Sequence, residues 1–165
     1  MGDYTGLRFG AKLNDQAVEM IRRMHEIHFD FDPNAPHDTW ERMAELYPLP
    51  EFQLWSRYDR HSFIPYGSLA YMPDDWYEQV GAPPGDHGDA RLMSKLTEDN
   101  TWLVTCSLKN HMQTIEVFLQ VVLPILLREP CAAEVLFESD QQPTIVMVEP
   151  RGYGLPMPKD IRRLP

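Results

Sequence analysis

Twice along this chain a stretch of period two gives way, within two or three residues, to a stretch of helical period, and that repeated change dictates a β-α pattern. From 7 to 13, Leu7, Phe9, Ala11 and Leu13 alternate with Arg8, Gly10 and Lys12, which predicts a half-buried strand. Ala17, Met20, Ile21, Met24 and Ile27 then recur at three and four residues behind Asn14 and Asp15, two residue types that cap a first turn. A helix from about 15 to 28 follows from that spacing. The pattern returns at Trp102, Val104, Cys106 and Leu108, which alternate with Leu103, Thr105 and Ser107. Asn110 with Gln113 opens the longest helix, whose buried stripe is Ile115, Phe118, Leu119, Val122 and Leu126. Pro124 falls inside the stripe and predicts a kink or a restart, because it lacks an N–H and its ring crowds the carbonyl four residues back.

Two more strands, 134–138 and 144–148, are joined by Ser139-Asp140-Gln141-Gln142-Pro143 as a hairpin. Between the two β-α units, Asp38 and Glu41 form a capping box ahead of a short helix that stops at Pro48 and Pro50. The aromatic stretch 63–72 reads as an edge or bulged strand, since Pro65 cannot donate to a ladder and Gly67 marks a bulge. No period survives from 73 to 100, so this is a long loop; seven acids against two bases give it a net charge of −5. The fifteen prolines gather in the linkers, this loop and the tail, and only Pro65 and Pro124 intrude on regular elements.

The resulting order is that of a single α+β domain over 1–150. It is a two-layer sandwich whose mostly antiparallel sheet of about five strands carries two main helices on one face. A ferredoxin-like core with an added edge strand fits this order. Residues 151–165 form a tail containing proline and glycine, with four basic residues against one acid.

Charge and cysteine usage exclude several functions. Fifteen basic against twenty-five acidic residues, net −10, disfavour direct binding to nucleic acid or to an anionic membrane. No long apolar run and no basic, apolar leader occurs, so a cytoplasmic protein is expected. Cys106 and Cys131 form no CxxC and have no third partner, which leaves neither a zinc ribbon nor a disulfide scaffold. Phosphate-loop, dinucleotide, nucleophile-elbow and zinc-protease signatures are all missing. No cofactor and no metal is called for, and enzymatic activity is not expected.

Four constellations remain. His25 and His28, with Asp30, Asp32 and His37, have metal-ligand chemistry but read better as a helix end, where protonated histidines suit the macrodipole. Cys106 and His111 resemble a nucleophile and base, yet Cys106 shares its face with Trp102, Val104 and Leu108 and reads as a packed thiol. Arg57, Arg60 and His61, with Lys109 and Asn110 at a helix start, make a candidate anion site; the alternative is a solvated loop in which Asp59 pairs with its arginine neighbours. Asp74, Asp75, Trp76, Tyr77 and Glu78 make a candidate partner-binding stretch. Its aromatics either tuck back as a lid over the core or stay exposed as interface anchors.

The strings Tyr4-Thr5-Gly6-Leu7-Arg8-Phe9, Ser62 to Pro73, and Cys106-Ser107-Leu108-Lys109-Asn110 with Thr114-Ile115-Glu116 resemble small phage- and prophage-encoded accessory proteins. That resemblance implies a viral or mobile-element origin and brings no activity and no functional residues. Together with the acidic surface, it leads to the expectation of a non-enzymatic protein that binds a host protein, such as a defence or gene-expression component, and inhibits it. Mimicry of nucleic acid by carboxylates is a stronger version of this. The alternatives are a nucleotide- or other anion-binding protein or hydrolase using the basic cluster, and a homo-oligomer formed through a strand edge near Pro65.

Overall fold

The computed structural model describes residues 4–29, Met72, Trp76, 94–109 and 114–151. Five strands form one sheet: β1 (Tyr4–Lys12), β2 (Ser94–Leu96), β3 (Thr101–Lys109), β4 (Cys131–Phe137) and β5 (Thr144–Val148). Their order is β2-β3-β1-β4-β5 and every neighbour is antiparallel. The first four follow the ferredoxin-like order, with β3 between β1 and β2 and with β1 between β3 and β4; β5 is the added edge strand. Helix α1 (Asp15–Phe29) and a helical segment α2 (114–126) supply the second layer.

Alternation sorts the side chains. Leu7, Phe9 and Ala11 of β1 are buried on the helix side, level with Cys106, Val104 and Trp102 of β3 and, for Leu7, Val135 of β4; Leu13, just past the strand, is buried as well and bridges to Leu127. Phe9, Trp102 and Phe118 form the aromatic centre. The Trp102 ring stands edge-on to Phe9 at 5.2 Å and to Phe118 at 6.1 Å, while Phe9 stacks on Phe118 at 5.7 Å. The one polar group of Trp102 is satisfied because its indole N–H donates to Ser94 Oγ at 2.8 Å, and the same hydroxyl meets His25 Nε2 at 2.7 Å. His25 thus links α1 to the edge strand, and the described residues contain no group of three or more metal-ligand side chains.

Two elements differ from the sequence expectation. The loop expected over 73–100 contains β2 and a tight turn at its C-terminal end, in which Thr97 N–H donates to Thr101 O and Asn100 adopts φ 62°. Asn tolerates that left-handed conformation better than most residues. The long helix is not uniformly α. Thr114–Val117 is α-helical, Phe118–Val122 forms a π turn in which Leu123 N–H reaches Phe118 O, and Leu123–Leu126 closes the segment. The wide turn lies directly before Pro124, whose ring would otherwise press on the Gln120 carbonyl. The proline therefore acts as a restart, with the expected stripe still buried.

The last three carbonyls of α2 are satisfied from outside the helix. Pro124 O accepts from Arg151 N–H at 2.7 Å, Ile125 O from Asn14 Nδ2 at 2.9 Å, and Leu126 O from Asn14 N–H at 2.9 Å. Asn14 also caps α1, its Oδ1 accepting from Ala17 N–H at 2.9 Å. One residue thereby starts one helix and finishes the other. The expected short helix near 38–47, the strand expected at 63–72 apart from its last residue, Met72, which is not in a strand, and the tail beyond Arg151 lie outside the described residues. None of the described helices is long and apolar enough to cross a membrane.

Candidate functional site

The side of the sheet away from the helices presents Gly6, Arg8, Gly10 and Lys12 of β1, with Ser107, Thr105, Leu103 and Thr101 opposite them on β3. On β4, Leu136 lies opposite Gly6 and Glu134 opposite Arg8. Polar and small residues dominate this face, with Leu103 and Leu136 as its apolar members, and they alternate with the buried set as the period requires. What covers this face decides what it can bind.

At the β1 start the cover is Trp76 and Met72. Trp76 is 3 % exposed, so the stretch that contains it does not present this aromatic as an exposed interface anchor; the tucked alternative is the one adopted. Gly6 makes that contact possible. A Cβ at Gly6 would lie 2.9 Å from Met72 Sδ and 2.9 Å from the Trp76 ring, so only glycine admits the ring this close to the strand. The indole N–H of Trp76 donates to Cys106 O at 3.4 Å.

Arg8, two positions along the same strand face, also holds the ring. Its guanidinium stands 4.3 Å from the Trp76 ring centroid and donates from Nη1 to the Trp76 carbonyl at 3.1 Å. It also forms a bidentate pair with Glu134, with Nε to Oε2 at 2.6 Å and Nη2 to Oε1 at 3.1 Å. Under this cover Ser107 and Thr105 are fully buried, and Thr105 Oγ1 has no hydrogen-bond partner among the described residues.

The opposite end of the same face is open. Along the outer strand β5, Ile145, opposite Glu134, and Met147 are 55 % and 59 % exposed, the large apolar side chains most open to solvent among the described residues, and toward the end of β1 Gly10 is exposed. Here Lys12 pairs with Asp99 in the β2-β3 turn, and Thr97 also donates to that carboxylate. Together the Lys12 ammonium and the Thr97 hydroxyl hold Asp99 well below the usual carboxylate range, Lys12 contributing most. Part of the acidity assigned to the 73–100 loop is therefore committed to closing a turn.

The other candidate residues divide as follows. Asp74, Asp75, Tyr77 and Glu78 lie outside the described residues, as do Arg57, Arg60, His61 and Asn110 of the anion cluster. Lys109 is the last residue of β3, opposite Tyr4. His111 also lies outside. Cys106 is fully buried, and desolvation pushes its thiol up to about 12; Cys131 is pushed up to about 11 by the same cause. Neither supplies a thiolate at neutral pH, which agrees with the packed role expected of Cys106.

Arg8, Glu134, Gly6 and Met72 were not among the residues singled out from sequence. The available signal was two glycines, Gly6 and Gly10, on one face of a strand that is otherwise well patterned, since a strand glycine marks a close approach. Comparison with protein-family models, with curated proteins and with solved structures finds no match.

Proposed function

We propose that this chain is a non-enzymatic accessory protein of phage type that acts in the host cytoplasm by binding a host protein through a basic surface on that partner. The observation that carries the proposal is the seat of Trp76. The ring and carbonyl of this residue are fixed to the sheet by Arg8, Gly6 and the Cys106 carbonyl, in the middle of the sequence Asp74-Asp75-Trp76-Tyr77-Glu78. An anchored tryptophan puts three carboxylates within two residues of a fixed point on the sheet, and anchoring of this kind reduces the ordering cost of binding. The net charge of −10 adds long-range steering toward a basic surface.

The seat of Trp76 also decides which variant tests the proposal. Trp76→Ala would disturb the fold, so the test falls on the carboxylates. The triple variant Asp74→Lys, Asp75→Lys, Glu78→Lys is expected to lose a host protein that the unaltered chain retains in affinity capture, with the melting temperature unchanged. Retention of the same protein by the triple variant, or no specific protein retained by the unaltered chain, would overturn the proposal.

A further inference from the structure

Among the described residues, the two outer strands of the sheet are built differently. β2 is three residues long and carries Lys95 at its centre, a device that discourages pairing with another chain. β5 is five residues, Thr-Ile-Val-Met-Val, with no charge and no proline, and its register with β4 runs unbroken from Thr144 to Val148. No bulge turns it away from a neighbour. Ile145 and Met147 project from it to solvent on the helix-free face, and Val146 lies on the helix side between them.

We propose that β5 is the pairing edge of a homodimer, in which two copies join antiparallel about a two-fold axis passing Val146, perpendicular to the sheet. The sequence is self-complementary in that register. Thr144 meets Val148 of the second copy, Ile145 meets Met147, and Val146 meets its own counterpart. Ile145 and Met147 oppose each other on one face, Val146 meets Val146 on the other with a Thr144–Val148 pair at either side, and the helices of both copies stay on the same side. Glu149 falls opposite Pro143, so no carboxylate confronts another across the axis. Pro143 and Pro150 bound the edge at both ends, and a second copy supplies a segment with the same bounds.

The join is small. Five residue pairs bury well under the area of about 1,200 Å² found in stable interfaces, and two chains of net charge −10 repel at long range. The dimer is therefore reversible, and salt strengthens it by screening that repulsion. It does not depend on the host-partner proposal, because β5 and the 74–78 stretch share no residue.

Cysteine cross-linking tests both the contact and its register, since Cys106 and Cys131 are buried and do not compete. Under mild oxidation in high salt, Val146→Cys is expected to give a disulfide-linked dimer, whereas Gln141→Cys, exposed but outside the paired stretch, gives none. Adding Ile145→Lys and Met147→Lys to Val146→Cys removes the cross-linked species, and light scattering of the unaltered chain shows its mass rising with concentration and salt. Circular dichroism confirms that each variant is folded. Cross-linking of Val146→Cys no faster than Gln141→Cys, cross-linking that survives the two lysines, or a monomer at every concentration and salt would each overturn the proposal. So would capture of an extended foreign strand on β5 in place of the second copy.

Discussion

The helix-free face carries two glycines on one strand, and the two ends of the face use them in opposite ways. Gly6 lies under Met72 and Trp76 and is buried, while Gly10 is open to solvent beside Leu103. The ion pairs follow the same division. Arg8 and Glu134 are 21 % and 28 % exposed beneath the Trp76 cover, whereas Asp99 in the Lys12 pair is 66 % exposed. A sheet of uniform pleat has thus been given a dry end and a wet end. The cause is the one large aromatic seated at the dry end, which needs a missing Cβ below it and a cation beside it.

Trp76→Ala attacks the dry end most directly and should cost about 3 kcal/mol, the lower part of the usual range for removing a buried tryptophan. In a domain of this size that lowers the melting temperature by about 10 °C, measured by circular dichroism. A loss below about 1 kcal/mol would mean that the two ends are alike after all. The glycines sharpen the contrast next. Gly6→Ala should cost about 1–3 kcal/mol, because its methyl group meets a rigid indole ring. Gly10→Ala should change stability by about 0.5 kcal/mol or less, since its Cβ would lie 3.2 Å from the tip of a flexible leucine. Equal effects would remove the distinction.

The smallest expected difference is electrostatic. Asp99 is held below its usual range, so its pair with Lys12 contributes fully above the unfolded carboxylate value of about 4 and is lost as the pH falls below it. Lys12→Met should flatten that acid-side loss in a stability-against-pH series. At about 1 M salt, where the screening length is about 3 Å, the unaltered chain should lose the Lys12 contribution and retain the Arg8 contribution. A pH profile unchanged by Lys12→Met would contradict the assignment.

Much of this architecture is legible in the residues. The alternation Leu7 to Leu13 and Trp102 to Leu108 locates the two central strands, and Asn14 marks the start of α1, because strands buried on one face and capped helices leave strong local patterns. β2 escapes notice because three residues, Ser94-Lys95-Leu96, are too few to show a period inside an acidic stretch. The π turn escapes because one extra residue leaves the same side chains buried. The Trp76 seat is the least legible, since it joins positions about seventy residues apart and depends on a residue, Gly6, that contributes nothing but the lack of a side chain. Sequence supplied both alternatives for Trp76, exposed or tucked, and only tertiary contact decides between them.

Asn14 connects the two halves of the chain in time as well as in space. Its side-chain amide reaches a carbonyl 111 positions away and its backbone N–H the next carbonyl along, so both donors of this residue find their partners only when α2 has docked. The backbone amide proton of Asn14 should therefore exchange with deuterium only in the opening event that releases α2, and one proton near the start of α1 would then report on whether α2 is in place.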